Sequence, residues 1–194
     1  MKRYLIRIEN INNYTPQQIS RVKEILKGVS DKFANIRISK FAIEFDYFSE
    51  GDDKAIRDKL NQSLGRILDF RELKSAFNEE SSDLAFQLYT QERFWEAHEV
   101  LEGLWRKERD EKRKELIQSL ILLCASYVHM QKGRNSVSLG ILERAADKMN
   151  ANFEESKSLR IDFQNLRKKI VEVIEEGNPR IIDITPFKMH NANV

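Results

Sequence analysis

Residues 94–105 read FWEAHEVLEGLW, and the way this segment is wound decides the fold of the longer, C-terminal part of the chain. On a helical wheel with Phe94 at zero and about 100° per residue, Phe94, Ala97, Leu101, Leu104 and Trp105 share one face. His98 falls inside the same arc. Glu102 lies just beyond it, with Trp95 on that flank. Glu96, Glu99, Gly103, Arg106 and Lys107 turn outward or sit on the border. The segment therefore predicts an amphipathic helix whose inner face carries a histidine and a glutamate one turn apart. A charged carboxylate in such a place is costly unless paired. His98, at i,i+4 from Glu102, is the nearest partner.

Helical period continues on both sides. It predicts helices at about 81–90, 92–108, 111–132, 135–152 and 157–176, the last ended by Gly177-Asn178-Pro179. The helix at 111–132 is apolar nearly all round and should be central. Gln118, Leu122, Ala125 and His129 share a line on it, so Gln118 or His129 is placed to meet the His98–Glu102 pair across an interface. The tail IIDITPFKMHNANV has no clear period; its first part is expected to add a strand or to pack on the bundle.

Upstream the period changes. Tyr4, Ile6 and Ile8 alternate with Leu5, Arg7 and Glu9, the pattern of a strand. Thr15-Pro16 marks a helix start, Ile19, Val22, Ile25, Leu26 and Val29 follow at helical spacing, and Gly28 is the expected stop. Residues 35–39 and 41–47 alternate again, joined by a hairpin around Ser39-Lys40. In the second of these strands Phe41, Ile43, Phe45 and Tyr47 point to the core, with Glu44 and Asp46 on the open face. Ala55, Ile56, Leu60 and Leu64 form a helical stripe ahead of Gly65. Residues 66–73, RILDFREL, form a last strand. The order β-α-β-β-α-β is that of the ferredoxin-like split unit. The fold class is thus α+β: a ferredoxin-like domain at 1–74, a polar linker at 75–81, a bundle of about five helices at 82–177 and a tail at 178–194.

Composition narrows the partners. Charged residues make up 33% of the chain, a proportion and a mix that thermophile surfaces favour, yet the formal net charge is only +2. Such a balance gives no general pull towards nucleic acid or membrane. The open sheet face carries Glu44 and Asp46, which would repel a phosphate backbone, so no nucleic acid is expected there. The run from Leu116 to Met130 is too short and too polar to span a bilayer. The N-terminus MKRYLIRIEN has charges inside its apolar stretch and does not have the form of a signal peptide. A cytoplasmic protein is expected. The single Cys124 lies in LILLCASYV and reads as an inert buried thiol.

Three readings of the histidine cluster stay open. It is a structural pin between helices, or a small-ligand or partner pocket walled by Trp95 and Trp105, or a metal-assisted hydrolytic site. The last rests on the likeness of His98-Glu99-x-x-Glu102 to the zinc motif HExxH, with His98 and Glu102 as ligands and Glu99 as base. A third ligand would have to come from His129, because the remaining histidine, His190, lies in the tail. No GxGxxG, GxxxxGK[ST] or GxSxG is present, and no cofactor is expected.

The stretch LYTQERFWEAHEVLEGLWRKE also resembles the helical domain-of-unknown-function family three-hundred-and-nine. Its signature reads here Glu96-Ala97-His98-Glu99-Val100-Leu101-Glu102-Gly103-Leu104-Trp105. Glu115-Leu116-Ile117-Gln118 and the segment from Asn135 to Leu142-Glu143-Arg144-Ala145 continue the pattern, with Ser138-Leu139 where the family has Gly-Ala. The resemblance covers about residues 80–152. It implies a compact helical bundle whose first hairpin is similar to a tetratricopeptide repeat, with His98, Glu102, Trp105 and Gln118 in one cluster. It implies no activity. The expected function is that of a non-catalytic binding or scaffolding protein with a helical groove and an N-terminal contact surface, the alternative being a metal-assisted hydrolase centred on His98, Glu99 and Glu102. The expected partners are a second copy of the chain, another protein or a small ligand.

Overall fold

The computed structural model describes residues 1–50, 54–73, 81–150 and 153–184. The chain forms two compact units: Met1–Ala76 with the short segment Met130–Arg134, and Phe77–His129 with Asn135–Val194. The expected linker at 75–81 lies almost wholly outside the described residues.

The first unit runs β1 (Lys2–Glu9), α1 (Ile19–Val29), β2 (Phe33–Ile38), β3 (Ala42–Ser49), α2 (Lys54–Ser63) and β4 (Ile67–Glu72). The strands form one antiparallel sheet in the order β2-β3-β1-β4. Alternation sets the register: Tyr4 lies opposite Tyr47, Ile6 opposite Phe45 and Ile8 opposite Ile43. These six side chains share one face and bury Val22 and Leu26 of α1 and Ile56 and Leu60 of α2 against it. Thr15 and Gln18 close a 3-10 turn at Pro16–Gln18 that feeds α1, the Thr15 N–H donating to Gln18 Oε1 at 2.9 Å. Gly28 does not stop α1; the helix runs through it to Val29 and ends at extended Ser30. Gly65 does break the chain after α2. Its φ is +134°, and a Cβ there would sit 3.2 Å from the Glu9 carbonyl oxygen.

Two expectations about the sheet are corrected. Phe41 is half-exposed and does not join the core, because it belongs to the turn before β3 and lies under the Lys40 ammonium. The face opposite the core is not open. Arg37, Glu44 and Asp46 are all buried there. Glu44 accepts from Arg7 at 2.9 Å and Arg37 at 3.4 Å. Asp46 accepts from Arg3 at 2.8 Å and from Asn35 at 2.7 Å, and its other oxygen lies 3.6 Å from Arg37. Arg7 and Arg37 stand directly opposite Glu44 on the two neighbouring strands, so the ladder itself aligns the charges. Burial is tolerable because each carboxylate has two cationic neighbours.

The second unit contains six helices among the described residues: α3 (Ser82–Thr90), α4 (Phe94–Lys107), α5 (Glu111–Gln131), α6 (Asn135–Lys148), α7 (Phe153–Leu159) and α8 (Phe163–Glu176). The period predicts the last two as one helix. They are separated by Arg160 in the left-handed conformation, φ +56°, and by Asp162, whose carboxylate accepts the Asn165 N–H and starts α8. The core centres on three rings: Phe94 lies 4.9 Å from Tyr127 and 5.2 Å from Tyr89, centroid to centroid. The described part of the tail packs on the bundle at Ile182. Tyr89 donates its hydroxyl to the Ile182 carbonyl at 2.5 Å, and the Ile182 N–H donates to the Tyr127 hydroxyl at 3.0 Å. Ser138, where the resembled family has glycine, is fully buried; its hydroxyl lies 2.8 Å from that of Ser126 on α5. The serine is accommodated by a hydrogen bond where close helix contact would otherwise call for a smaller residue.

Arg37→Ala would leave Glu44 and Asp46 each with one arginine fewer, and is expected to lower unfolding free energy in urea by about 3 kcal/mol. Burial also pushes the Tyr89 and Tyr127 hydroxyls up, and the Cys124 thiol to about 12. The protonated forms are the ones the fold favours. Their contribution is complete below the ordinary thiol and phenol values of 9.0 and 10.0 and is lost as pH rises from there towards the raised folded values. The urea midpoint should therefore fall steeply above about pH 9.5. Tyr127→Phe should cost about 1 kcal/mol at neutral pH and flatten that alkaline fall.

Candidate functional site

Helix α4 presents two different flanks, and the wheel drawn from its sequence is rotated relative to the one observed. The residues it buries are Phe94, Glu96, Ala97, Val100, Leu101 and Gly103. Their centre lies about 90° round the helix from the face defined by Phe94 and Trp105. The cause is that α4 packs on more than one neighbour, so the buried arc is wide. The two tryptophans mark its margin and not its middle.

His98 and Glu102 consequently lie on the outer flank. Their side chains are 23% and 34% exposed, and His98 Nε2 lies 3.9 Å from Glu102 Oε1. His98 Nδ1 lies 3.6 Å from Glu99 Oε1. Both separations exceed a hydrogen bond. Glu102 instead accepts from Arg106 at 2.6 Å. The deeply buried carboxylate is Glu96, which the wheel placed outward. Its two oxygens accept a fork from Arg93 at 2.7 and 2.6 Å.

Around this flank the structure gathers Trp95, His98, Glu102 and Trp105, all half-buried, in one stripe of α4. Trp105 carries the Lys114 ammonium 5.0 Å above its ring and lines a shallow depression together with Gln118 of α5. His129 sits about three turns along α5 from Gln118 and is not brought to that depression. His190 lies outside the described residues. Among the described residues no three His, Cys, Asp or Glu side chains converge on a point able to hold a metal ion. The third ligand needed by a His98–Glu102 metal centre is therefore not assembled there.

The opposite flank of α4 lines a second and more apolar feature. Leu101 and Leu104 of α4, Ile117 and Leu120 of α5, and Phe86 of α3 line a cavity of about 400 Å³. Ile117, Leu120 and Cys124 recur at helical spacing, so a single stripe of α5 forms its wall. The thiol of Cys124 adds apolar surface, since burial holds it protonated. The charged residues among its lining are Asp83, Lys107, Glu108, Arg113 and Arg160. The sequence signal for this cavity is the excess of apolar residues on α5, more than one face of a bundle helix needs.

Residues 83–140 match a family model described as a domain of unknown function, DUF309. The DUF309 match spans α3, α4, α5 and the start of α6, so both flanks of α4 lie within it. It does not reach the N-terminal unit. No curated protein and no solved structure matches the chain. Among the described residues no helix is long and apolar enough to cross a membrane.

The two polar clusters of α4 should respond differently to mutation. Arg93→Ala leaves the Glu96 carboxylate buried without its fork and is expected to cost about 3 kcal/mol. His98→Ala, at a half-buried position whose ring nitrogens lie beyond hydrogen-bond distance of Glu99 and Glu102, is expected to cost less than about 1 kcal/mol. Paired urea titrations check the order; equal losses would mean that the imidazole is a buried pin after all.

Proposed function

We propose that this chain is a binding protein, and that the helical unit works by holding an apolar ligand in the α3–α4–α5 cavity. One observation carries the reading: a cavity of about 400 Å³ whose lining is mostly aliphatic and aromatic. That is the size and composition of a small-molecule site, which generally spans roughly 300–1,000 Å³. The catalytic alternative draws less support, because His98, Glu99 and Glu102 are not among the residues that line this cavity. The sheet of the N-terminal unit offers a second contact surface at its edge strands, where Leu68 of β4 is exposed.

The test uses a neutral apolar fluorophore, N-phenyl-1-naphthylamine. The protein is expected to bind it at one site with a micromolar Kd. Leu104→Trp fills the cavity from a half-buried position and should weaken binding at least tenfold, with the circular dichroism unchanged. Absence of saturable binding, or binding indifferent to the tryptophan, would contradict the proposal.

A further inference from the structure

We propose that the free edge of β4 pairs antiparallel with β4 of a second copy of the chain, Phe70 facing Phe70 and Asp69 of each copy facing Arg71 of the other. The inference is independent of the cavity, and it goes beyond the contact surface named above by fixing the partner and the register.

Hydrogen-bond accounting shows which groups the edge offers. β4 closes one side of the sheet, with β1 as its neighbour. The Leu73 N–H donates to the Arg3 carbonyl at 2.8 Å, which makes Arg3 and Leu73 a hydrogen-bonded pair of the antiparallel ladder. Bonded and non-bonded pairs alternate, so Leu5–Arg71 and Arg7–Asp69 are bonded, whereas Tyr4–Glu72 and Ile6–Phe70 are not. The N–H and C=O groups of Phe70 and Glu72 therefore point away from β1. Among the described residues nothing bonds them on that side. At the start of the strand the Asn61 side chain takes the Ile67 N–H at 3.0 Å, so the open stretch lies beyond it.

The other edge of the sheet is protected where this one is not. β2 loses register in its middle, between Ala34 and Arg37, with Asn35 in the left-handed conformation at φ +52°. A bulge there keeps a further strand from zipping along it. The irregularity of β4 lies near its start, where the ladder shifts between Arg7 and Ile8, and Asp69–Glu72 stays regular. That stretch holds neither proline nor lysine, the residues that usually blunt an edge.

Charge selects the partner. Asp69 and Arg71 lie two residues apart on one face of β4, Arg71 Nε 3.4 Å from Asp69 Oδ2. Because Phe70 and Glu72 offer their bonds outward, a pairing strand must meet these residues in bonded positions. Between two copies of β4, three registers near the strand centre do so. One sets Asp69 against Asp69 and another sets Arg71 against Arg71, and like charges directly opposite are destabilising. The third is centred on Phe70. It sets Asp69 against Arg71 twice, in the non-bonded pairs where side chains come closest, with about 4.5 Å between Cα atoms. A shift by one residue loses the bonds and turns the faces over. The strand is thus complementary to itself in a single register, as a two-fold dimer requires. Phe70 of each copy exchanges both outward bonds with the other, and the exposed Leu68 comes to lie opposite Glu72.

The test is the mass of the full chain in solution, by light scattering across a micromolar concentration series. The wild type is expected at twice the chain mass. A monomer throughout overturns the proposal and leaves the edge to a strand of another protein. Asp69→Arg sets arginine against arginine, and Arg71→Asp sets aspartate against aspartate, so each variant alone is expected to be monomeric with unchanged circular dichroism. Mixed in equal amounts, the two should form a heterodimer, since every junction regains an aspartate facing an arginine. Damage to the fold cannot produce that rescue. A dimer that survives either single change, or variants that stay monomeric when mixed, overturns the assignment. Should either variant unfold, Glu72→Pro decides: proline there removes one outward N–H and no bond to β1. It is expected to weaken the dimer at least tenfold, and a dimer of unchanged affinity overturns the proposal.

Discussion

Helix α5 has almost no polar side, and the second unit is organised by the need to cover it. Leu116, Ile117, Leu120, Leu123, Cys124 and Tyr127 are all buried, and Ser119 and Ser126 are buried with them. A helix apolar all round must be packed from several directions. Tyr89 and Phe94 stack on Tyr127 from one side, Ser138 of α6 closes on Ser126 from another, and the Ile182 backbone is clasped between two tyrosine hydroxyls. The Ile117–Leu120–Cys124 stripe is buried as well and lines the cavity. The same constraint explains why buried hydroxyls are tolerated in this core: each finds a partner in a neighbouring element or in its own helix.

This arrangement divides α4 into flanks with different chemistry. The outer flank is polar and aromatic, and its imidazole and carboxylate are close without being bonded. The inner flank opens on the cavity. The DUF309 match spans both, so the family pattern does not by itself choose between them. The two differ in lining: the depression between Trp105 and Gln118 is bordered mostly by charged side chains, the cavity mostly by apolar ones. In the N-terminal unit the corresponding constraint is a sheet buried on both faces, one by aliphatic and aromatic side chains and one by the Arg37–Glu44–Asp46 network.

Period was enough to read the element order. Alternation of Tyr4, Ile6 and Ile8 against Ile43, Phe45 and Tyr47 carried the sheet, and the helical stripes of α4 to α6 fell within a few residues of their observed bounds. What period does not convey is how many neighbours an element has. The wheel of α4 assumed one buried face, so it turned His98 inward and Glu96 outward, whereas packing on several neighbours buries Glu96 and leaves His98 at the margin. Similarly, Glu44 and Asp46 alternate with core residues and were assigned to an open face, because nothing local announces that Arg3, Arg7 and Arg37 will meet them across strands. Period does not show the break between α7 and α8, because its left-handed residue is Arg160 and not the glycine that usually signals it. The cavity has no motif; only the surplus of apolar positions on α5 hinted at it.

The claim on which this account turns is that an apolar chain enters the space between α3, α4 and α5. A crystal structure grown with 12-bromododecanoate tests it directly, since bromine is located by its own anomalous scattering. The account predicts one bromine among Leu101, Leu104, Ile117 and Leu120. Bromine found beside His98 and Trp105, or nowhere on the helical unit, would contradict it.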